Sequence, residues 1–281
     1  MLALCVGAVP HLAGCTKPDA AGHGIRIVAA ENFYGSVAQE IAGDSARITS
    51  ILTNPNQDPH EFTAGAETAR QVADANIIIF NGLGYDEWMK KLLDVDANPN
   101  RTVICVSDLI RASAGMNPHI SCDPMAMLAL ATKLSVILKQ PNNLAKFQRQ
   151  MDTIEAKMAE IKSKYSGVPV TATEPVFEYM VSALGLTNEN IPFQRAVLNG
   201  TEPSFEATAE FERSLRSQSV KLLLYNTQVT SPASERMKAI AQQNGIPIVG
   251  VTETEPPNSK SYADWMLTEL TAIENALNTN S

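Results

Sequence analysis

Residues 142–165 contain neither glycine nor proline, and their apolar members Leu144, Phe147, Met151, Ile154, Met158 and Ile161 fall three or four positions apart. That is the period of a helix buried along one face, and it predicts a single amphipathic helix of about six or seven turns. Pro141 and Asn142-Asn143 mark its start, and Ser166-Gly167 its end. A rod of this length divides the chain, so the segments on either side are expected to fold as separate units that it connects.

Both flanking segments follow the same pattern. Before the rod, near-continuous apolar runs at 25–30, 46–52, 75–80 and 102–107 alternate with helical patterns at 33–42 and 85–93. After it, runs at 168–172, 220–225 and 246–251 alternate with helical patterns at 206–216, 233–244 and 262–277. Apolar runs separated by helices indicate parallel strands buried on both faces. The expected architecture is therefore α/β, with two Rossmann-like lobes of parallel sheet at 25–141 and 167–281, joined by the connecting helix at 142–166. A chain of 281 residues, 44% hydrophobic and 19% charged, is long and apolar enough for two lobes with separate cores.

The first 15 residues read as a leader. Residues 2–9 form an apolar stretch too short to span a bilayer, and Leu12-Ala13-Gly14-Cys15 resembles a lipoprotein cleavage box with Cys15 as the lipidated residue. The basic residue usual before such a stretch is missing, which places the expected natural start further upstream. Residues 16–24 read as a tether. The expectation is an exported protein, periplasmic or on the cell surface, touching the membrane through its lipid anchor only. The net charge of −8 argues against nucleic acid and mildly favours a cation. With Cys5 removed and Cys15 lipidated, Cys105 and Cys122 remain. An exported compartment permits a bond between them, but the expectation is two unpaired thiols, Cys105 within a strand in the core.

Two short loops, Asp58-Pro59-His60 and Asn117-Pro118-His119, set a histidine behind a proline, which stiffens the loop that presents it. Only one other histidine, His23, lies beyond the leader. Two imidazoles alone make a weak divalent site, and carboxylates are the natural partners. Glu174 and Glu253 each directly follow a strand-like run, where ligands bind in open α/β sheets. Asn226 and Gln228, after the run ending at Tyr225, are candidates for hydrogen bonds that orient these ligands, and Cys122 is an alternative ligand.

Taken together, Asn56-Gln57-Asp58-Pro59-His60-Glu61-Phe62, Asn81-Gly82-Leu83-Gly84-Tyr85-Asp86-Glu87-Trp88-Met89, Asn117-Pro118-His119 with Asp123-Pro124, and Thr173-Glu174-Pro175-Val176-Phe177-Glu178-Tyr179 resemble the zinc/manganese solute-binding proteins that serve ABC importers. The resemblance implies one divalent ion, as cargo, buried between two lobes. It implies ligands at His60, His119, Glu174 and Glu253, and delivery to the permease subunit of an ABC importer by a monomer. Family members usually carry an aromatic and an aliphatic residue where Ser121 and Cys122 stand, so a wetter, looser wall is expected here. Manganese is favoured over zinc, because two carboxylates make a harder donor set than a third histidine would. Zinc carriers of the family often add a histidine-rich acidic loop, which this sequence lacks.

Other readings weigh less. In Asn81-Gly82-Leu83-Gly84 the third glycine of a dinucleotide fingerprint would fall at Glu87, whose carboxylate repels a pyrophosphate. A metallohydrolase would keep an open coordination position, and the chain has no His-Glu-x-x-His and no nucleophile motif. An adhesin on the same fold remains an alternative with the same metal site. No enzyme activity is expected.

Overall fold

The computed structural model describes residues 24–54 and 57–279. The leader, Cys15, the tether up to His23, and Asn56 of the first Pro-His segment lie outside the described residues.

The first sheet has four parallel strands in the order β2-β1-β3-β4. Its elements run β1 Ile25–Glu31, α1 Asn32–Ala42, β2 Ala46–Leu52, α2 Ala66–Ala73, β3 Ile77–Phe80, α3 Glu87–Val95, β4 Thr102–Cys105, α4 Val106–Leu109 and α5 Pro124–Leu138. The connecting helix is α6, Pro141–Tyr165, with the proline in its first turn, where a missing N–H is harmless. The second sheet is also parallel, in the order β6-β5-β7-β8. Its elements are β5 Pro169–Ala172, α7 Glu178–Ala183, β6 Thr187–Glu189, α8 Ile191–Leu198, α9 Phe205–Arg216, β7 Leu223–Asn226, α10 Pro232–Gln243, β8 Ile248–Val251 and α11 Tyr262–Asn278. The two-lobe α/β architecture expected from the sequence is present, and among the described residues no helix is long and apolar enough to cross a membrane.

Several helices begin on side-chain caps. The Asp123 carboxylate accepts from the Met125 N–H, Ser204 from Ala207, Ser231 from Ser234 and Ser261 from Asp264. Several short or weakly patterned elements were not foreseen, two of them, α5 and β6, for opposite reasons. Helix α5 buries Ala126, Met127, Leu130, Ala131, Leu134, Ser135 and Leu138 on one side but exposes Met125 and Val136 on the other, so no polar face sets the buried one off. Strand β6 is the three polar residues Thr187, Asn188 and Glu189 at a sheet edge, with no alternation to read.

The cores differ from expectation. Each lobe has an outer core of its own, around Val28, Leu52, Ile78, Trp88 and Met89 in the first and Phe193, Phe211, Leu223 and Met237 in the second. The inner core is shared. One cluster runs from Ile27, Phe33 and Ile79 through Leu130, Phe147 and Ile154 to Val170, Leu224, Trp265 and Leu270. The reason is that α1, packed on the first sheet, and α11, packed on the second, meet each other and α6, while α5 packs on α1 and α6, so their apolar faces merge into one core. Cys105 also departs from expectation: it closes β4 half-buried, beside Ser107, rather than in the core.

A shared core predicts cooperative unfolding. Ile154, fully buried midway along α6, has its side chain in that cluster. Ile154→Ala should cost about 2–5 kcal/mol in urea denaturation. The single-tryptophan variants Trp88→Phe and Trp265→Phe should report one midpoint for both lobes; two separate midpoints would contradict the shared core.

Candidate metal centre

The C-terminal ends of the strands in both lobes converge on one buried point. His60 lies in the short turn Pro59–Glu61, where the Asp58 carboxylate accepts from the His60 main-chain N–H at 2.8 Å and fixes the loop. His119 ends the second Pro-His loop and is fully buried. Glu253, two residues beyond β8, is also fully buried. The His60 Nε2 and His119 Nε2 atoms stand 3.7 and 3.4 Å from the same oxygen, Glu253 Oε2. One ligand atom from each of the three residues lies within 4.8 Å of the others, the only such group of three or more among the described residues.

Both Nε2 atoms are buried and have no hydrogen-bond partner. For His119 the network settles the tautomer. The Asn117 Nδ2 group donates to the Pro175 carbonyl at 2.6 Å and to Glu178 Oε2 at 2.7 Å, so Asn117 Oδ1 is the acceptor facing His119 Nδ1 at 2.8 Å. Nδ1 therefore carries the proton, and the Nε2 lone pair points into the site. Burial pushes both imidazole pKa values down, which keeps the rings neutral despite the Glu253 carboxylate beside His60. Two buried lone pairs aimed at one buried carboxylate oxygen would be costly with nothing between them. Ligand atoms about 2.1 Å from a tetrahedral ion are separated by about 3.4 Å, close to the spacings found here.

Glu174 is held one hydrogen bond away. Asn226, the last residue of β7, donates from Nδ2 to Glu174 Oε2 and to Glu253 Oε1, both at 2.7 Å. Burial, with Glu253 nearby, raises the Glu174 pKa to about 7, and burial likewise raises that of Glu253. Of the four residues expected as ligands, the fold thus brings three within coordination spacing and ties the fourth to the third through one amide. Gln228 completes this arrangement: its Oε1 accepts from the main-chain N–H groups of Glu253 and Thr254, which fixes the Glu253 loop.

Cys122 takes no part in the group. It is fully buried in the shared core, and burial drives its thiol pKa well up, so it is not a thiolate donor. The wall at Ser121 and Cys122 is dry rather than loose, since both are buried and the Tyr262 hydroxyl donates to the Ser121 carbonyl at 2.9 Å. Two further residues matter whose roles the sequence did not show. Tyr85 donates its hydroxyl to Glu253 Oε2 at 3.3 Å and lies edge-on to both histidines, with ring centroids 4.7 and 5.7 Å away. Asn117 orients His119 while binding the other lobe. Asn117 and Tyr85 sit inside recognisable motifs, but only the folded contacts reveal what they do.

The turn that carries Tyr85 depends on Gly82. Its φ is +81°, and a Cβ there would lie 2.4 Å from Ser107 Oγ and 2.6 Å from Cys105 Sγ. Asp86 closes the turn, accepting from the N–H groups of Asn81 and Gly82, and its burial raises its pKa to about 7. Glu31, at the end of β1, is buried with neither oxygen partnered, and desolvation raises its pKa well above the usual carboxylate range. Access to the centre is from the His60 side. His60 is 21% exposed where His119 and Glu253 are sealed, and a cleft of about 460 Å³ bordered by Leu83, Met116, Pro118 and Arg195 opens onto it.

Fold and donors together define a two-lobed α/β binding protein with a nitrogen–oxygen donor set for a divalent ion at the lobe junction. Residues 27–276 match the family described as zinc-uptake complex component A, periplasmic, and the chain belongs to that family. A manganese ABC transporter substrate-binding lipoprotein of Streptococcus mitis is 26% identical, the match covering 83% of this chain and 81% of that one. The periplasmic zinc-binding protein of Treponema pallidum superposes with a TM-score of 0.76 at 17% identity, over 90% of this chain and 99% of that one. A Pseudomonas aeruginosa solute-binding protein solved with Mn²⁺ gives 0.74 at 18% identity, over 92% and 100%.

The buried carboxyls predict a pH dependence. Burial raises Asp86, Glu174, Glu255 and Glu269 to about 7, from ordinary values of 3.8 for the aspartate and 4.5 for the glutamates. Between those limits the folded metal-free protein keeps protons that the unfolded chain has lost. Its stability is therefore greatest at the acid end of the window and falls as pH rises through about 7. The two imidazoles, with pKa values lowered from 6.5, act in the opposite sense below that value and are outnumbered. The Tm in chelator should be lower at about pH 7.5 than at about pH 5.5. Metal should bind with proton release, more tightly as pH rises. A Tm that climbs across this window would contradict the assignment.

Proposed function

We propose that this chain captures one divalent transition-metal ion outside the cytoplasmic membrane and hands it to the permease of an ABC importer. The reading rests above all on the two unpartnered imidazole Nε2 atoms around Glu253 Oε2. His60, His119 and Glu253 hold the ion, and Glu174 joins them from its place beside Asn226. Two neutral imidazoles and two carboxylates neutralise a dication, which makes its burial tolerable.

Four protein donors close the ion off from water, which suits carriage and not hydrolysis. The donors come from both sides of α6, so the ion favours whichever arrangement of the lobes brings all four together. The permease then draws the loops apart and takes the ion through the mouth beside His60. Lipid attached at Cys15 keeps the protein, acting as a monomer, at the membrane surface. Manganese is the proposed cargo, on the hardness of the donor set and in line with the named specificity of the Streptococcus mitis relative.

His60→Ala or His119→Ala should lower metal affinity by more than about 100-fold, measured by chelator competition, with the far-UV circular dichroism unchanged. Wild-type affinity in both would end the assignment. Asn226→Ala should cost about 10–100-fold by leaving both carboxylates unoriented, whereas Cys122→Ser should change binding little. In vitro ranking cannot identify the cargo, because Zn²⁺ outbinds Mn²⁺ at such sites regardless. Growth of cells lacking the protein, with each metal limiting, decides; rescue under zinc limitation alone would overturn manganese.

A further inference from the structure

We propose that a second site, at the opposite end of the N-terminal sheet, binds phosphate, and that its occupant is the headgroup of an anionic phospholipid. The parallel register sets Arg26 of β1 directly beside Arg47 of β2. Residues paired in this way point to the same face, and like charges so placed destabilise a sheet unless something lies between them. Neither guanidinium forms an ion pair within the described residues. The nearby acids are already engaged: Glu67 binds Arg70 through two hydrogen bonds of 3.1 and 2.6 Å, and Asp74 lies 3.5 Å from the same guanidinium.

Arg26 is also held in place. Its main-chain N–H donates to Asn76 Oδ1 at 2.8 Å and its Nε to the Asp74 carbonyl at 2.6 Å, which leaves the two terminal nitrogens free of protein partners. With Thr49, and with Arg70 beside its partners Glu67 and Asp74, these arginines line a cleft of about 320 Å³. That is large enough for a phosphate with a small polar group attached. A guanidinium fork matches phosphate oxygens better than any other side chain, so a pair of unneutralised forks facing one cleft selects that chemistry.

Position chooses between a lipid headgroup and free phosphate. The cleft lies at the N-terminal ends of β1 and β2, where the chain enters the fold at Ile25. Cys15 is ten residues earlier, a reach of at most about 36 Å. The choice of a lipid rests on the reading of Cys15 as the lipid attachment site; the phosphate chemistry does not. Because the metal donors sit beyond the C-terminal ends of strands, His60 after β2 itself, a headgroup bound here turns the metal mouth away from the bilayer, toward the medium that supplies the ion.

The test uses the full chain carrying Cys15→Ser, so that no acyl chain contributes. It is floated with vesicles of phosphatidylglycerol and phosphatidylcholine, or of phosphatidylcholine alone, and titrated separately with inorganic phosphate by calorimetry. Binding to the anionic vesicles is expected, falling with salt, and weaker by about tenfold or more in Arg26→Gln/Arg47→Gln. Metal affinity should be unchanged in that variant, which checks its fold. Anionic-vesicle binding that the double substitution leaves intact, or no binding to vesicles or phosphate at all, overturns the site. Arginine-dependent phosphate binding without a preference for anionic vesicles supports the site and overturns the lipid. Mass spectrometry of wild-type protein purified from membranes tests the acyl group on Cys15 separately, so a failed anchor cannot be mistaken for a failed site.

Discussion

The structure depends on the desolvation of three donor atoms. His60 Nε2, His119 Nε2 and Glu253 Oε2 are taken out of water, and neither imidazole nitrogen is given a protein partner. Buried polar atoms of this kind are expensive, and a fold tolerates them only when the surroundings over-determine their positions. Here the surroundings do so. The Asn117 amide fixes the His119 ring, the Asp58 carboxylate fixes the His60 loop, and the Asn226 amide spans the two glutamates. On the proposed reading a dication supplies the missing partners, and the desolvation that these atoms suffer without it is the source of their affinity for it.

The lobes are bound together by more than the connecting helix. The Asn117 side chain and main chain reach Pro175, Glu178 and Tyr179 across the junction. Asn32 and Glu255 exchange hydrogen bonds of 2.6 and 3.1 Å from opposite lobes, and Tyr262 reaches Ser121. Together with a continuous inner core, these contacts oppose a wide hinge opening. On the proposed reading, release of the ion then calls for small displacements of the loops that carry His60, Glu174 and Glu253 rather than separation of the lobes.

Much of this was readable from residue order. The helix at Pro141–Tyr165 announced itself through its period, and the parallel strands through apolar, β-branched runs, because a side chain's periodicity follows directly from backbone geometry. The paired Pro-His loops and the glutamates after β5 and β8 marked the candidate donors, since ligand positions in parallel sheets cluster at strand ends. Helix α5 escaped because its exposed side carries apolar residues as well, Met125 and Val136, so no polar face set the buried one off. The separation of the cores was misjudged because periodicity shows that a face is buried, not what buries it.

By itself the sequence determined the alternation of strands and helices, the rod between the two halves, and the residue types able to hold a divalent ion. Those depend on local geometry and chemistry, which each segment carries wherever it is placed. Only the tertiary structure decided that Glu253 stands between the two imidazoles while Glu174 is held beside Asn226. It alone decided that Cys122 belongs to the core and that Asn117 links His119 to the opposite lobe. Those outcomes turn on ångström distances between atoms 50 to nearly 200 residues apart in sequence. Such distances are set by how α1, α5, α6 and α11 pack against one another and the sheets, and no local pattern encodes them.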